Sequence, residues 1–499
     1  MRKVDAILML DCQDDFFPPE VGGDDIIKAF ADALFAQRLA ANFLFFASRA
    51  LILKRRDRTD VIRSLECHEI GLHTPGPDHP CLPEYAATGD WFSAVAEAER
   101  RESEAVNVIR DVFGRDPCTL SQHGNYAAPH IFPVAAKMRL PYVYGFPAAP
   151  PKYSISWYCG ALCFPWRPVW TYERKEPTFE LGDESWVDDA FLEKRLGQLE
   201  AFLNWCEVAE QPFVNIFLAH PYRLLCVELP EYWRNPNGRN LAPHVWGKNG
   251  SPRLRSAGQV ETGRRNIARV AAHLSKHPKL NVLSISQAVA KYGFQPTELT
   301  ADNLKAAAEG LATHREEYAP VVSPAQVPLP LDIPLGAPFS PAELAVGLAQ
   351  SVFSHLRGEG VPRTVRRRDV LGPVSNPIII PEQRWMSPAQ FAACLGSFLD
   401  EVEKTGHLPA NVGPLDARVG LGSLYRVLAT TYLQAIGGET IGNISAPRYP
   451  RYPREGRDLG RQFADVIEFD LVDPELNGWN LEKHGRLQSW TLKPAWNLA

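Results

Sequence analysis

Short apolar runs and amphipathic stretches alternate along residues 4–293. Residues 4–10, 41–46, 67–73, 118–121, 141–144, 212–218 and 280–285 read as buried strands, because they lack the polar alternation of a half-exposed sheet. Between them, residues 24–41, 51–65, 91–113, 129–138, 188–208, 258–276 and 286–292 place apolar side chains at helical spacing, as Leu192, Leu196, Leu199 and Leu203 do. About seven strands separated by helices predict parallel pairing, an α/β fold and a barrel that is closed or nearly so. Chemistry is then expected where the strands end, at their C-termini.

The alternation stops near residue 293. Prolines at 324, 328, 330, 334, 338 and 341 mark a stiff connector. Beyond it an internal repeat appears, with Phe339-Ser340-Pro341-Ala342 matching Met386-Ser387-Pro388-Ala389 at an offset of 47 residues. Serine as N-cap and proline at the first helical position open a helix in each copy. The expected organisation is a catalytic α/β barrel over 1–296, a helix and Pro-rich connector over 297–338, and a mainly helical repeat domain over 339–499.

At 499 residues the chain is long enough for two or three domains of roughly 150 residues each. Its 53 basic and 58 acidic side chains give a net charge of −5, which offers nothing to attract nucleic acid as a partner. No apolar run is long enough to span a membrane. The apolar stretch Ala6 to Leu10 is too short for an export signal, and nine irregularly spaced cysteines read as free thiols, so a cytoplasmic location is expected.

Three clusters carry candidate chemistry. Asp11, Asp14 and Asp15 follow the first strand directly, which suits a metal ligand beside a carboxylate base. The stretch His68-Glu69-Ile70-Gly71-Leu72-His73, continuing to His79-Pro80, is the densest histidine cluster, and imidazole with carboxylate suits a divalent ion such as zinc. His220 ends the run 212–218, where it is placed to protonate a leaving group. The aromatic stretch 153–172, with Trp157, suits either sugar stacking or loop packing.

These blocks, with Ala41-Asn42-Phe43-Leu44-Phe45 after the first helix, resemble the polysaccharide deacetylase superfamily (NodB homology, carbohydrate esterase family 4) over residues 4–293. The resemblance implies a distorted (β/α)7 barrel and a metal-dependent hydrolase removing N- or O-acyl groups, typically acetyl, from a carbohydrate. It implies Asp11 as base and His220 as acid, with Asp14, His73 and His79 holding the metal, most simply zinc. His68 and Asp78 stand as alternative ligands, since His73 and His79 are six apart where the family spaces its pair by four, and Asp15 stands as another, since the family's Asp pair is adjacent where Asp11 and Asp14 are three apart. Gln122, His123 and Asn125 replace the motif in which the family carries an arginine, and with Trp157 are the expected substrate contacts. The C-terminal units are similar to pseudomurein-binding repeats, through Gly406, Pro409 and Val412, which implies a cell-wall glycan as partner. Two rival readings stand beside this one: a remodelled glycan-binding protein without turnover, and a hydrolase of small non-peptide amides on the same scaffold.

Overall fold

The computed structural model describes residues 3–13, 19–74, 80–123, 128–143, 155–164, 170–227, 253–313, 339–379, 384–414, 418–447, 451–453, 455–465 and 476–495. The Pro-rich connector lies outside these residues. The chain is mixed α/β, built on one curled sheet. Its strands are β1 (Val4–Cys12), β2 (Asn42–Phe45), β3 (Glu69–His73), β4 (Leu120–Ser121), β5 (Tyr142–Val143), β6 (Ser156–Tyr158), β7 (Ala161–Phe164), β8 (Thr178–Glu180), β9 (Phe213–Ala219) and β10 (Leu280–Val282). They lie in the order β6-β7-β5-β4-β3-β2-β1-β9-β8, with β10 beside the start of β1. All of these pairings are parallel except β6 with β7. Among the described residues no pairing joins β8 to β6, so the sheet is a curled half-barrel.

The helices that cover it begin with α1 (Gly23–Ala36), α2 (Ala47–Arg55), α3 (Thr59–Ser64), α4 (Leu82–Thr88), α5 (Trp91–Phe113) and α6 (Ile131–Met138). After them come α7 (Asp189–Val208), α8 (Ala257–Lys276) and α9 (Ile285–Tyr292). No helix among the described residues is long and apolar enough to cross a membrane.

Strand alternation divides the sheet's two faces. Leu8 and Leu10 of β1, Ile70 and Leu72 of β3, and Val214 and Ile216 of β9 pack outward against the helices. Ile7, Met9, Leu44, Phe213 and Phe217 form the concave interior. Gly71 lies where that interior is tightest. A Cβ there would come within 2.2 Å of Thr119 Oγ1 and 2.4 Å of Leu44 Cδ2, beside the Asn42–Thr119 hydrogen bond of 3.1 Å. Gly71→Ala is therefore expected to destabilise the fold by about 1–3 kcal/mol through overpacking, read as a lower urea midpoint at unchanged m-value.

One buried acid sits outside the concave face. Glu102 of α5 accepts a 2.9 Å hydrogen bond from Gln122 Nε2. Burial pushes its carboxyl up to about 7 from 4.5, only partly offset by Gln122. Below the lower value the group is protonated in both folded and unfolded chains. Between the two values only the unfolded chain ionises, so stability falls as pH rises from 4.5 through 7, by about 3 kcal/mol in all. Glu102→Gln should flatten that part of the stability–pH curve, measured by chemical unfolding across the range.

The repeat units have the helices and caps expected of them. Ser340 and Ser387 accept from the backbone N–H of Glu343 and Gln390, and those side chains reciprocate in capping boxes. The helices α11 (Pro341–Leu356) and α12 (Pro388–Thr405) share a second core with α10 (Ala301–Thr313) and α13 (Leu421–Ile436). Gly406 closes α12 at φ 69°, a left-handed cap that favours glycine.

The end of the chain returns to the sheet. Leu459 and Phe463 of α14 (Glu455–Asp465), Leu481 of α15 (Trp479–Gln488) and Leu492 join the first core. Lys493–Pro494 then pairs antiparallel with β6 at the sheet's edge. The buried Lys493 ammonium donates to Glu343 at 2.7 Å, which ties this edge to the start of α11. Residues 455–465 and 476–495 thus pack mainly on the first core and the sheet's edge, with Trp490 reaching the second core.

Candidate active site

Three parallel strands deliver the central groups. Asp11 continues the inward series Ile7, Met9 along β1 and is fully buried. His73 ends β3 on the same face, two residues beyond Gly71. His220 follows β9, where a register shift against β1 skips Leu218. Leu218 and Ala219 both pack outward because of that bulge, and the phase change turns His220 inward. With β9 and β2 flanking β1, and β3 beyond β2, the two imidazoles approach the Asp11 carboxylate from opposite sides. Asp11 Oδ2 lies 3.7 Å from His73 Nε2 and 3.6 Å from His220 Nε2.

Hydrogen bonds fix what each ring presents. Ser121 at the end of β4 donates its hydroxyl proton to Leu72 O at 3.0 Å. Its oxygen is therefore the acceptor in the 2.8 Å contact with His73 Nδ1, which places the proton on Nδ1 and the lone pair on Nε2, toward Asp11. Burial holds the His73 imidazole well below its usual range, and His123 and His220 lower it further, so the ring is neutral near pH 7. Phe46 stacks on it at 5.4 Å, and His123 stands edge-on to both rings.

His220 is held from behind. Its Nδ1 lies 3.2 Å from Asp183 Oδ2, and its backbone N–H donates to Asp183 Oδ1 at 3.1 Å. Burial raises the Asp183 carboxyl, but the facing His220 and Arg223 together hold it below its usual value. Arg223 also reaches Glu184, which Arg255 grips at 2.7 Å. Gln13 donates to Tyr222 Oη at 3.3 Å just beyond.

The structure thus brings Asp11, His73, His123 and His220 together. Asp14, Asp15, Asp78, His79 and Asn125 lie outside the described residues. His68 does not join the group. It precedes β3, with Nε2 2.9 Å from Ala31 O and Nδ1 accepting from Ala41 N–H at 3.4 Å. Both ring nitrogens serve the packing of α1 against β2. Gln122 turns outward to Glu102. Trp157 packs against the concave cluster near the sheet's edge. Asp183, Ser121 and Phe46 are the site residues the sequence reading missed. Asp183 carries the same signal as Asp11, an acid just past a strand end, but its strand β8 is three residues long.

A divalent cation fits this donor set. Among the described residues His73 supplies one imidazole ligand, its Nε2 lone pair turned toward the concave face by the Ser121 contact, with the Asp11 carboxylate 3.7 Å away in position to act as base.

No protein-family model matches the chain, and no curated protein matches it. Among solved structures it is similar to the 4-alpha-glucanotransferase from Thermococcus litoralis, at 12% identity and a TM-score of 0.36, over 62% of this chain and 44% of that one. The chain thus spans under half the length of that enzyme. It is also similar to a family 4 carbohydrate esterase from Streptomyces lividans in complex with acetate, at 12% identity and a TM-score of 0.28, over 57% of this chain and 93% of that one. A family 4 acetyl xylan esterase from Clostridium thermocellum, in complex with a cobalt ion, matches at 13% identity and a TM-score of 0.27, over 57% and 90%. At these values the likeness carries no weight for activity, which rests on the site's own geometry.

Proposed function

We propose that the protein is a metal-dependent hydrolase that removes N- or O-acyl groups, acetyl in the simplest case, from a carbohydrate. The observation that carries this reading is the Asp11 carboxylate set between His73 Nε2 and His220 Nε2. His73 would hold the cation, with Asp14 and His79 as the further ligands proposed from sequence. When bound, the cation polarises the acyl carbonyl and makes water a stronger acid.

The chain's own residues do the rest. Asp11 takes the proton from the attacking water. Ser121 keeps the His73 lone pair pointing inward. His220 delivers a proton from Nε2 to the departing nitrogen or oxygen as the acyl bond breaks and the carboxylic acid leaves. Asp183 accepts from His220 Nδ1, which orients the ring and stabilises its cationic form, the form that can act as acid. Phe46 and His123 wall the site and limit water around Asp11.

The reading is tested by acetate release from an N-acetylated and an O-acetylated oligosaccharide, using protein stripped by a chelator and then reloaded with zinc or cobalt. Release that vanishes on stripping and returns on reloading supports it. A stripped protein as active as the reloaded one overturns it.

A further inference from the structure

A second cluster lies at the opposite end of the sheet. His277 caps α8 and precedes β10, whose first residue pairs with Val4 at the start of β1, whereas Asp11 lies near the end of that strand. His273 stands one turn back on α8, and Glu200 faces both from α7. His277 Nε2 is 2.7 Å and His273 Nε2 3.6 Å from Glu200 Oε1, and the three ligand atoms all lie within 4.8 Å of one another. We propose that Glu200, His273 and His277 form a binding site for a divalent transition ion of the zinc class, clamping α7 to α8.

Four features support it. Two imidazoles four residues apart lie on one helix face, and a carboxylate completes a set that zinc, cobalt and nickel accept. His273 Nε2 is shielded from solvent and has no hydrogen-bond partner, a deficit that a cation would settle. The pair sits at the C-terminus of α8, where the helix dipole favours positive charge. Glu200 and His273 remain partly exposed, which leaves a route for the ion and room for water as the remaining ligands.

Binding requires a change of tautomer at His277. His277 Nδ1 accepts from Lys279 N–H at 3.2 Å, so in the neutral ring Nε2 bears the proton directed at Glu200. A cation on Nε2 displaces that proton, and Nδ1 gains one as the Lys279 contact is given up. Affinity therefore stays below that of a site whose rings already hold the ligating tautomer.

The test is zinc stoichiometry on the full chain after chelator treatment, by equilibrium dialysis with elemental analysis, in wild type, His273→Ala and Glu200→Gln. Wild type should bind one equivalent more than either variant, and zinc should raise its unfolding midpoint by more than theirs. The same comparison in a His73→Ala background should preserve the one-equivalent difference, which separates this site from the one beside Asp11. Equal stoichiometry in wild type and His273→Ala, in both backgrounds, overturns the proposal.

Discussion

Asp11→Asn is expected to lower kcat for acyl release by roughly 10²–10⁴-fold while metal content stays at the wild-type level. Asparagine keeps the shape of the side chain and one oxygen, but it cannot take the proton of the attacking water. Because Asp11 is fully buried between two imidazoles, no exposed carboxylate can substitute for it. The check is steady-state turnover on an acetylated oligosaccharide beside elemental analysis of the same samples. Full turnover in Asp11→Asn would remove the base from the mechanism. Lost turnover with lost metal would make Asp11 a ligand instead.

His73→Ala is expected to lose one metal equivalent and, with it, the whole chelator-sensitive rate. The Ser121 contact is what makes this effect specific, since it directs the lone pair rather than an N–H toward Asp11. Truncation also removes the ring stacked on Phe46, so a fold check must accompany it. His73→Gln keeps more of that packing and should show the same loss of metal. A His73→Gln protein with full metal content and turnover would show that the ring does not hold the ion.

Much of this was legible in the chain. A polar residue that interrupts a buried strand at its C-terminal end announces itself, and Asp11, His73 and His220 were all found that way. The helix at 91–113 and the paired Ser-Pro helix starts were equally plain, because their caps are local chemistry. His68 was a candidate only through proximity in sequence. Five residues of strand separate it from His73, about 16 Å at 3.3 Å per residue, and an odd separation puts it on the other face. The same parity sends Gln122 outward, while Ser121 reaches His73.

Asp183 was hidden for a different reason. Three residues of β8 are too few to show a period, and they lie just beyond the aromatic stretch 153–172 rather than in an alternating run. The bulge that turns His220 inward has no local signature either, since it arises from the pairing of β9 with β1. The return of α14, α15 and Lys493–Pro494 to the first core and the sheet's edge was likewise invisible, because a short amphipathic helix does not declare which of two cores it will join. The helices and capping boxes expected of the two Ser-Pro units are present.

The most direct measurement is a crystal structure of the zinc-loaded protein with an anomalous difference map at the zinc edge. The mechanism predicts a peak about 2.0–2.1 Å from His73 Nε2, beside Asp11 and within reach of a substrate that His220 can protonate. Zinc bound elsewhere with none at His73, or none bound in a protein that still releases acetate, would contradict it.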